Sequence, residues 1–435
     1  MWLVGFVTHL PALRPPAALI AILLIAVQAA GAFVAGRIAS TTRPPILGAV
    51  AGLVTGLINM LIVGSVVASL HEANTLRPGW LAVLLGTLGF SAALGAIGAL
   101  IGARTLRTDL AANPADTSRW LGRFAMVTVA AAFPVLLSGG LVTSTGTGLA
   151  VPDWPTSYNA NMFLYPLAKM TGGIYYEHAH RLFGSLIGFT TLILLVFILI
   201  AERRAWVKAI GGLAFLFVCG QGILGGIRVT SATTVAETPS PDQLADNTGS
   251  LALAAVHGTT AQIFFGLLCA ITIILSPWWK RIGQDRDHHD TLLRPFALAL
   301  VGALCIQLVL GSVTRHFQHS HALLTHIAFA MVVLVLACLT GFRASGKHAG
   351  TPPLRILGKA LVHTVGLQAA LGMATLLAVF PYVKGQPDPA YAVILATAHQ
   401  ATGALLMGTA WALAALALRV TATSDRHATT TLAAT

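Results

Sequence analysis

The stretch Tyr176-Glu177-His178-Ala179-His180-Arg181 opens a long apolar run, and the reading of the whole chain turns on it. Glu177 and His180 are three residues apart, so on a helix they share one face. A carboxylate and an imidazole at the edge of hydrocarbon are costly to keep, which marks them as functional candidates. Three further histidines, His257, His326 and His399, each stand near the start of another apolar stretch.

Composition agrees with that setting. The 435 residues are 56% hydrophobic and 9% charged, with a mean hydropathy of +0.80. Soluble domains carry about 25% charged residues, so the chain reads as a polytopic membrane protein. Its apolar runs lack strict alternation, which selects helices over a barrel. The net charge of +12 is scattered through short loops without a basic arm, so topology explains it and nucleic acid does not. Met1–Leu13 is a poor cleavable signal, because Arg14 follows the apolar residues instead of preceding them.

Three spans come first, at about 17–36, 46–70 and 80–103, with Gly48, Gly52 and Gly56 spaced for close helix approach. They carry no acid, base or histidine inside the membrane, and residues 1–105 read as an extension of unknown role. A polar linker, 106–120, includes Arg107, Asp109, Asn113, Pro114, Asp116 and Arg119. Eight spans follow at about 121–141, 177–200, 206–229, 251–275, 295–314, 322–342, 356–380 and 391–418. The positive-inside rule puts the N-terminus outside and starts and ends the eight-helix core inside.

The core is duplicated. His180 to His257 is 77 residues and His326 to His399 is 73. That regularity predicts two four-helix halves, 121–276 and 295–420, joined by a cytoplasmic linker at 277–294 and followed by a cytoplasmic tail at 421–435. The odd-numbered helices rhyme in Gly139-Gly140, Gln221…Gly225, Gln307…Gly311 and Gln368…Gly372, glycines expected to allow close crossing. All four histidines then lie near the outer interface, in two pairs.

Neutral imidazole is a usual axial ligand of haem iron, and facing histidines in a four-helix bundle are a frequent way to hold it. The residues four places on, Gly184, Ala261, Ala330 and Gly403, are small enough to leave room for a flat macrocycle. A di-iron site needs more glutamates than the single Glu177-x-x-His180, and the zinc pattern HExxH is absent. Cys219, Cys269, Cys305 and Cys338 lie in apolar stretches and read as small buried residues, and without CxxCH the haem would not be covalently attached.

The run Gly140-Leu141-Val142-Thr143-Ser144-Thr145-Gly146-Thr147-Gly148-Leu149-Ala150-Val151-Pro152-Asp153-Trp154-Pro155, with Glu177-His178-Ala179-His180-Arg181-Leu182, resembles the heme A synthase family over about residues 120–420. The resemblance implies a membrane oxidoreductase that oxidises a methyl group of heme O to a formyl group, giving heme A for cytochrome oxidase. It implies that His180 and His257 face the substrate haem, that His326 and His399 ligate a heme b cofactor, and that Glu177 is catalytic. The implied partners are heme O, the farnesyltransferase that forms it, an electron-transfer partner and membrane lipid; self-association is left open. The implied location is the cell membrane, multi-pass, with the haem sites toward the extracytoplasmic face. Two departures stand out. Pro155-Thr156-Ser157-Tyr158-Asn159 lacks the outer-loop cysteines of some members, and the three-helix extension lies outside the resemblance.

Several residues keep two readings. Glu177 serves proton transfer or simply pairs with Arg181 or Arg228. Asp153 and Trp154 cap a haem pocket or fix a turn. Arg181, Arg228 and Arg315 pair with propionates or anchor helix ends. Residues 315–321 read as a polar outer turn, His363 as packing, and His288 and His289 as loop residues. A di-haem electron carrier and a transporter are the rival functions.

Overall fold

A computed structural model describes residues 2–10, 13, 15–38, 43–62, 64–69, 72, 74–105, 117–233, 248–282, 290–379 and 389–432. Arg14, His288, His289 and the linker residues Arg107 through Asp116 lie outside them. The described residues form α1 (Trp2–Thr8), α2 (Ala17–Ile38), α3 (Pro44–Ile62), α4 (Trp80–Arg104), α5 (Thr117–Ser144), α6 (Gly172–Ala201), α7 (Ala205–Thr233), α8 (Thr248–Leu275), α9 (Pro277–Ile282), α10 (Leu293–Phe317), α11 (Ser320–Gly346), α12 (Pro352–Val379) and α13 (Ala390–Leu432). Ten of these helices are long and apolar enough to cross a membrane, and α3 is a shorter apolar helix. The protein is an all-α, multi-pass membrane protein.

Ten of the eleven expected spans are found among the described residues, with shifted ends. The second, expected to run to about residue 70, stops at Ile62, and the chain turns at Gly64–Val66. There the backbone passes so close to Phe163 that a Cβ on Gly64 would stand 2.8 Å from its carbonyl oxygen. α6 begins at Gly172, earlier than expected, so Glu177 and His180 lie inside the helix and not at its mouth.

The chain forms two compact units. The first comprises Met1–Thr117 and Ala150–Leu186, the second Ser118–Leu149 and Ile187–Thr435. This grouping cuts across the sequence-based division, because segment 150–186 packs with the extension.

In the first unit α4 runs between α2 and α3 at distances that only small residues permit. A Cβ on Gly52 would lie 2.1 Å from the Ser91 carbonyl oxygen, and one on Gly102 would lie 2.1 Å from that of Phe33. These glycines do what their spacing suggests: backbones touch, and dispersion between helices replaces the hydrophobic drive that lipid cannot supply.

The second unit is built around α8 and α13, its most buried spans. One apolar cluster gathers Leu121, Leu136, Ile187, Val207, Phe264 and Leu268; another gathers Leu300, Val333, Leu361, Leu406 and Leu413. Tight helix turns are fixed by charge. Between α6 and α7, Glu202 accepts from the backbone amides of Arg203 and Arg204 and from the Arg204 guanidinium at 2.7 Å. The hydrogen bonds from Arg204 lower its pKa to about 2.

Candidate functional site

The clearest juxtaposition in the second unit is between two predicted ligands. His326 on α11 and His399 on α13 face each other with ring centres 6.4 Å apart and planes at 87°. Each sits within the first ten residues of its helix. Each rests over a glycine of the preceding helix: a Cβ on Gly311 would stand 2.8 Å from His326 Cε1, and one on Gly372 would stand 2.9 Å from His399 Cε1. The glutamine four residues before each glycine braces the same spot. Gln307 Nε2 donates to the His326 carbonyl at 3.0 Å, and Gln368 Nε2 lies 3.4 Å from His399 Nε2. Nδ1 of both histidines is buried without a hydrogen-bond partner among the described residues.

Two imidazoles held this way can share one metal ion. A metal–imidazole bond is about 2 Å, and adding the reach from each nitrogen to its ring centre puts axial ligands roughly 6 Å apart centre to centre. The observed separation meets that requirement. His257 on α8 uses the same seat more loosely, its Cε1 being 3.5 Å from a Cβ built on Gly225, with Gln221 Nε2 donating to Thr260 nearby at 2.6 Å. The glycines expected to serve helix crossing are therefore also seats for imidazole rings. Gly403, expected to leave room for a macrocycle, lies against Gln368 instead, whose Nε2 is 3.2 Å from where a Cβ would be.

In the first unit Glu177 is 4% exposed and engaged at both oxygens. Oε1 accepts from Arg181 at 2.7 Å, and Oε2 accepts from the Val151 amide at 2.8 Å. Arg181 also donates to the carbonyls of Val151, Asp153 and Thr156 at 2.8, 2.6 and 3.0 Å. One guanidinium thus closes the 151–156 loop onto the first turns of α6, using the planar fork that suits arginine to such work. The pairing of Glu177 with Arg181 is present, and Arg181 is committed to loop carbonyls.

Asp153 fixes the turn beyond. It accepts from Thr156 Oγ1 at 2.5 Å and from the amides of Tyr158 and Asn159 at 2.6 and 2.8 Å. Burial works to raise its pKa, and these donors outweigh that and bring it below the usual carboxylate value. Arg228 and Arg315 grip backbone in the second unit, donating to Gly148 and Thr143 carbonyls at 3.1 Å each. His319 stacks on Phe317 at 6.3 Å in the outer turn, and His363 Nδ1 lies 2.7 Å from the Lys359 carbonyl within α12.

One residue went unnoticed in the sequence. His178, only 1% exposed, places Nδ1 3.1 Å from Ser157 Oγ and its ring 5.1 Å from that of Tyr165. Its signal was adjacency to Glu177 alone; the Ser157 partner is twenty-one residues away. His180 lies half-buried in the first unit, and His257 lies in the second.

Comparison with known proteins bears on this arrangement. A family profile described as "Cytochrome oxidase assembly protein" matches residues 122–325. Heme A synthase of Caulobacter sp. (strain K31) is 26% identical over 359 residues, covering 68% of this chain and 95% of its own. Heme A synthase of Paramagnetospirillum magneticum is 26% identical over 383 residues, covering 72% and 98%. That of Lysinibacillus sphaericus is 31% identical over 206 residues, covering 47% and 60%. Over most of its length the chain is similar to heme A synthases.

The segment that the profile matches holds Glu177, Arg181, His180 and His257 and ends one residue before His326. The extension lies outside that segment.

Proposed function

We propose that this chain is a heme A synthase, a membrane oxidoreductase converting a methyl group of heme O to the formyl group of heme A for cytochrome oxidase. The observation that carries the proposal is the pair His326 and His399, two half-buried imidazoles with buried Nδ1 atoms at ligand separation, in a chain similar to heme A synthases. In this reading they hold heme b, and His180 and His257 attend the substrate haem. The division into a substrate half, 121–276, and a cofactor half, 295–420, belongs to the same proposal.

Oxidising an unactivated methyl group requires the redox chemistry of an iron porphyrin, which the bound haem supplies. The residues of the chain bind, orient and handle protons. The glycine seats and glutamines fix the rings of His326 and His399. Arg181 holds the 151–156 loop against α6 and pairs with the Glu177 carboxylate. In this reading the electrons released in methyl oxidation pass to the electron-transfer partner, and Glu177 Oε2, which accepts from the Val151 amide, takes up a proton. The partners in this reading are heme O, the farnesyltransferase that makes it and an electron-transfer protein; the site faces the extracytoplasmic side of the cell membrane.

The test is expression of the full chain with and without a heme O source, followed by mass spectrometry of the extracted haems. A formyl-bearing haem appearing only with heme O supports the proposal. Heme b alone, unchanged under both conditions, refutes it in favour of an electron carrier. His326→Ala and His399→Ala are expected to lose heme b, and Glu177→Ala to keep heme b while product formation stops.

A further inference from the structure

The extension meets the residues that hold Glu177. In the first unit, Phe6 of α1 is 6% exposed and stacks on Tyr175, with ring centres 5.5 Å apart and planes at 11°. Phe6 also meets the edge of Phe183 at 5.5 Å, and Trp2 tilts onto Phe183 at 5.9 Å. Tyr175 Oη donates to the Phe6 carbonyl at 2.6 Å. Trp2 Nε1 donates to Asn59 Oδ1 at 3.0 Å, tying α1 back to α3. Tyr175, Ala179 and Phe183 fall at i, i+4 and i+8, so they form one face of α6 and turn the neighbouring face, with Glu177 and Arg181, toward the 151–156 loop.

A second grip reaches the loop itself. Asn74, between α3 and α4, donates from Nδ2 to the Asn159 carbonyl at 3.3 Å and accepts from the Asn161 amide at 2.7 Å. Asn74 holds the left-handed conformation (φ 61°) that asparagine tolerates. Asn159 is the residue whose amide binds Asp153, next to the carbonyls that Arg181 holds. The extension therefore touches both supports of Glu177: the helix turn that carries it and the loop that hydrogen-bonds it.

We propose that residues 1–105 form a positioning clamp, acting through Phe6 and Asn74, that fixes the Glu177 carboxylate for the reaction. The clamp is specific to this chain's extension, and its catalytic meaning rests on the heme A synthase reading. Phe6 and Asn74 touch no reacting atom; they act through Tyr175 and the 150–161 loop.

The full-length Phe6→Ala/Asn74→Ala protein, each single variant and Phe6→Tyr supply the test. The measurements are kcat and KM for heme O conversion, heme b absorbance per polypeptide, and deuterium uptake of residues 150–178. Misplacement by about 1 Å costs up to a hundredfold in rate, so kcat of the double variant should fall about tenfold or more. Heme b content should stay at the wild-type level, uptake across 150–178 should quicken, and Phe6→Tyr, which keeps the stack, should match wild type. If Phe6→Ala does not accumulate, Asn74→Ala on its exposed loop carries the same comparison. Wild-type kcat in the double variant, or a loss that merely tracks heme b content, overturns the clamp. Should the wild-type chain make no formyl haem, the functional reading fails by itself and deuterium uptake decides: faster exchange in the double variant supports the clamp, unchanged exchange refutes it.

Discussion

If His326 and His399 hold a haem as proposed, adding one methyl group beneath either ring tests the imidazole seats directly. In Gly311→Ala the new Cβ stands 2.8 Å from His326 Cε1, and in Gly372→Ala it stands 2.9 Å from His399 Cε1. Carbon atoms rest at about 3.5–4.0 Å, so each ring must retreat by roughly 0.6 Å or more. Metal–ligand distances tolerate about 0.2 Å, so the retreat exceeds what axial ligation accepts. Overpacking of this kind costs about 1–3 kcal/mol, and at 1.4 kcal/mol per decade heme b affinity should weaken by about five- to 150-fold. Gly225→Ala is the internal control: its Cβ would meet His257 Cε1 at 3.5 Å, an ordinary contact. The assay is titration of purified apoprotein with heme b, followed by the absorbance of the axially ligated iron. Unchanged heme b affinity in both Gly311→Ala and Gly372→Ala would refute the seat geometry, as would an equal loss in Gly225→Ala.

Other expectations follow from the same structure. Arg181→Lys keeps the charge but loses the fork that reaches four acceptors; leaving buried carbonyls unsatisfied costs about 1–3 kcal/mol, so limited proteolysis should cut 150–160 readily and turnover should drop. Asp290, which accepts from Arg343 Nε at 2.7 Å and lies 3.1 Å from His348 Nε2, is buried; burial tends to raise its pKa, and the bonds from Arg343, Leu292 and His348 overcome that and bring it to about 2. A depressed carboxylate pKa stabilises the fold above the unfolded value of about 3.8 and loses that contribution as pH falls toward 2, so heme b release on heating should accelerate between about pH 4 and pH 2. Asp290→Asn should flatten that dependence, and the same slope persisting in the variant would exclude this source. Saturating heme b should raise the unfolding temperature of the purified protein, since it binds only the folded form, and His326→Ala should abolish the rise.

Much of this was legible in the sequence, because imidazoles in hydrocarbon are costly and their repetition at 77 and 73 residues is hard to obtain without a duplicated fold. The facing of His326 and His399 was readable for that reason. The seats were not: Gly311 and Gly372 are two of 43 glycines, and nothing local separates a glycine that admits a helix from one that admits a ring. The Arg181 latch was half visible, since Glu177 lies four residues before it, but its carbonyl partners are 25 to 30 residues back in a loop without periodicity. The docking of Phe6 on Tyr175 spans 169 residues and uses aromatic shape, for which pattern offers no register.

The His326–His399 pair and the Glu177 region also differ in how their polar atoms are settled, a difference that bears on the proposed function. Around His326 and His399 both Nδ1 atoms, and the Oε1 atoms of Gln307 and Gln368, are buried without hydrogen-bond partners among the described residues. Each such atom costs about 1–3 kcal/mol, a large share of the roughly 5–15 kcal/mol that holds a domain folded. A site built that way favours a group that stays, since ligation by the rings offsets the cost for as long as the group remains bound. Glu177 and Arg181 are satisfied by each other and by Val151, Asp153 and Thr156, and His178 by Ser157. Those residues need nothing further to remain folded, and a site that must release product and wait for the next substrate requires that independence. On the proposed function, that contrast is the one required of a resident group at the His326–His399 pair and an exchanging one beside Glu177.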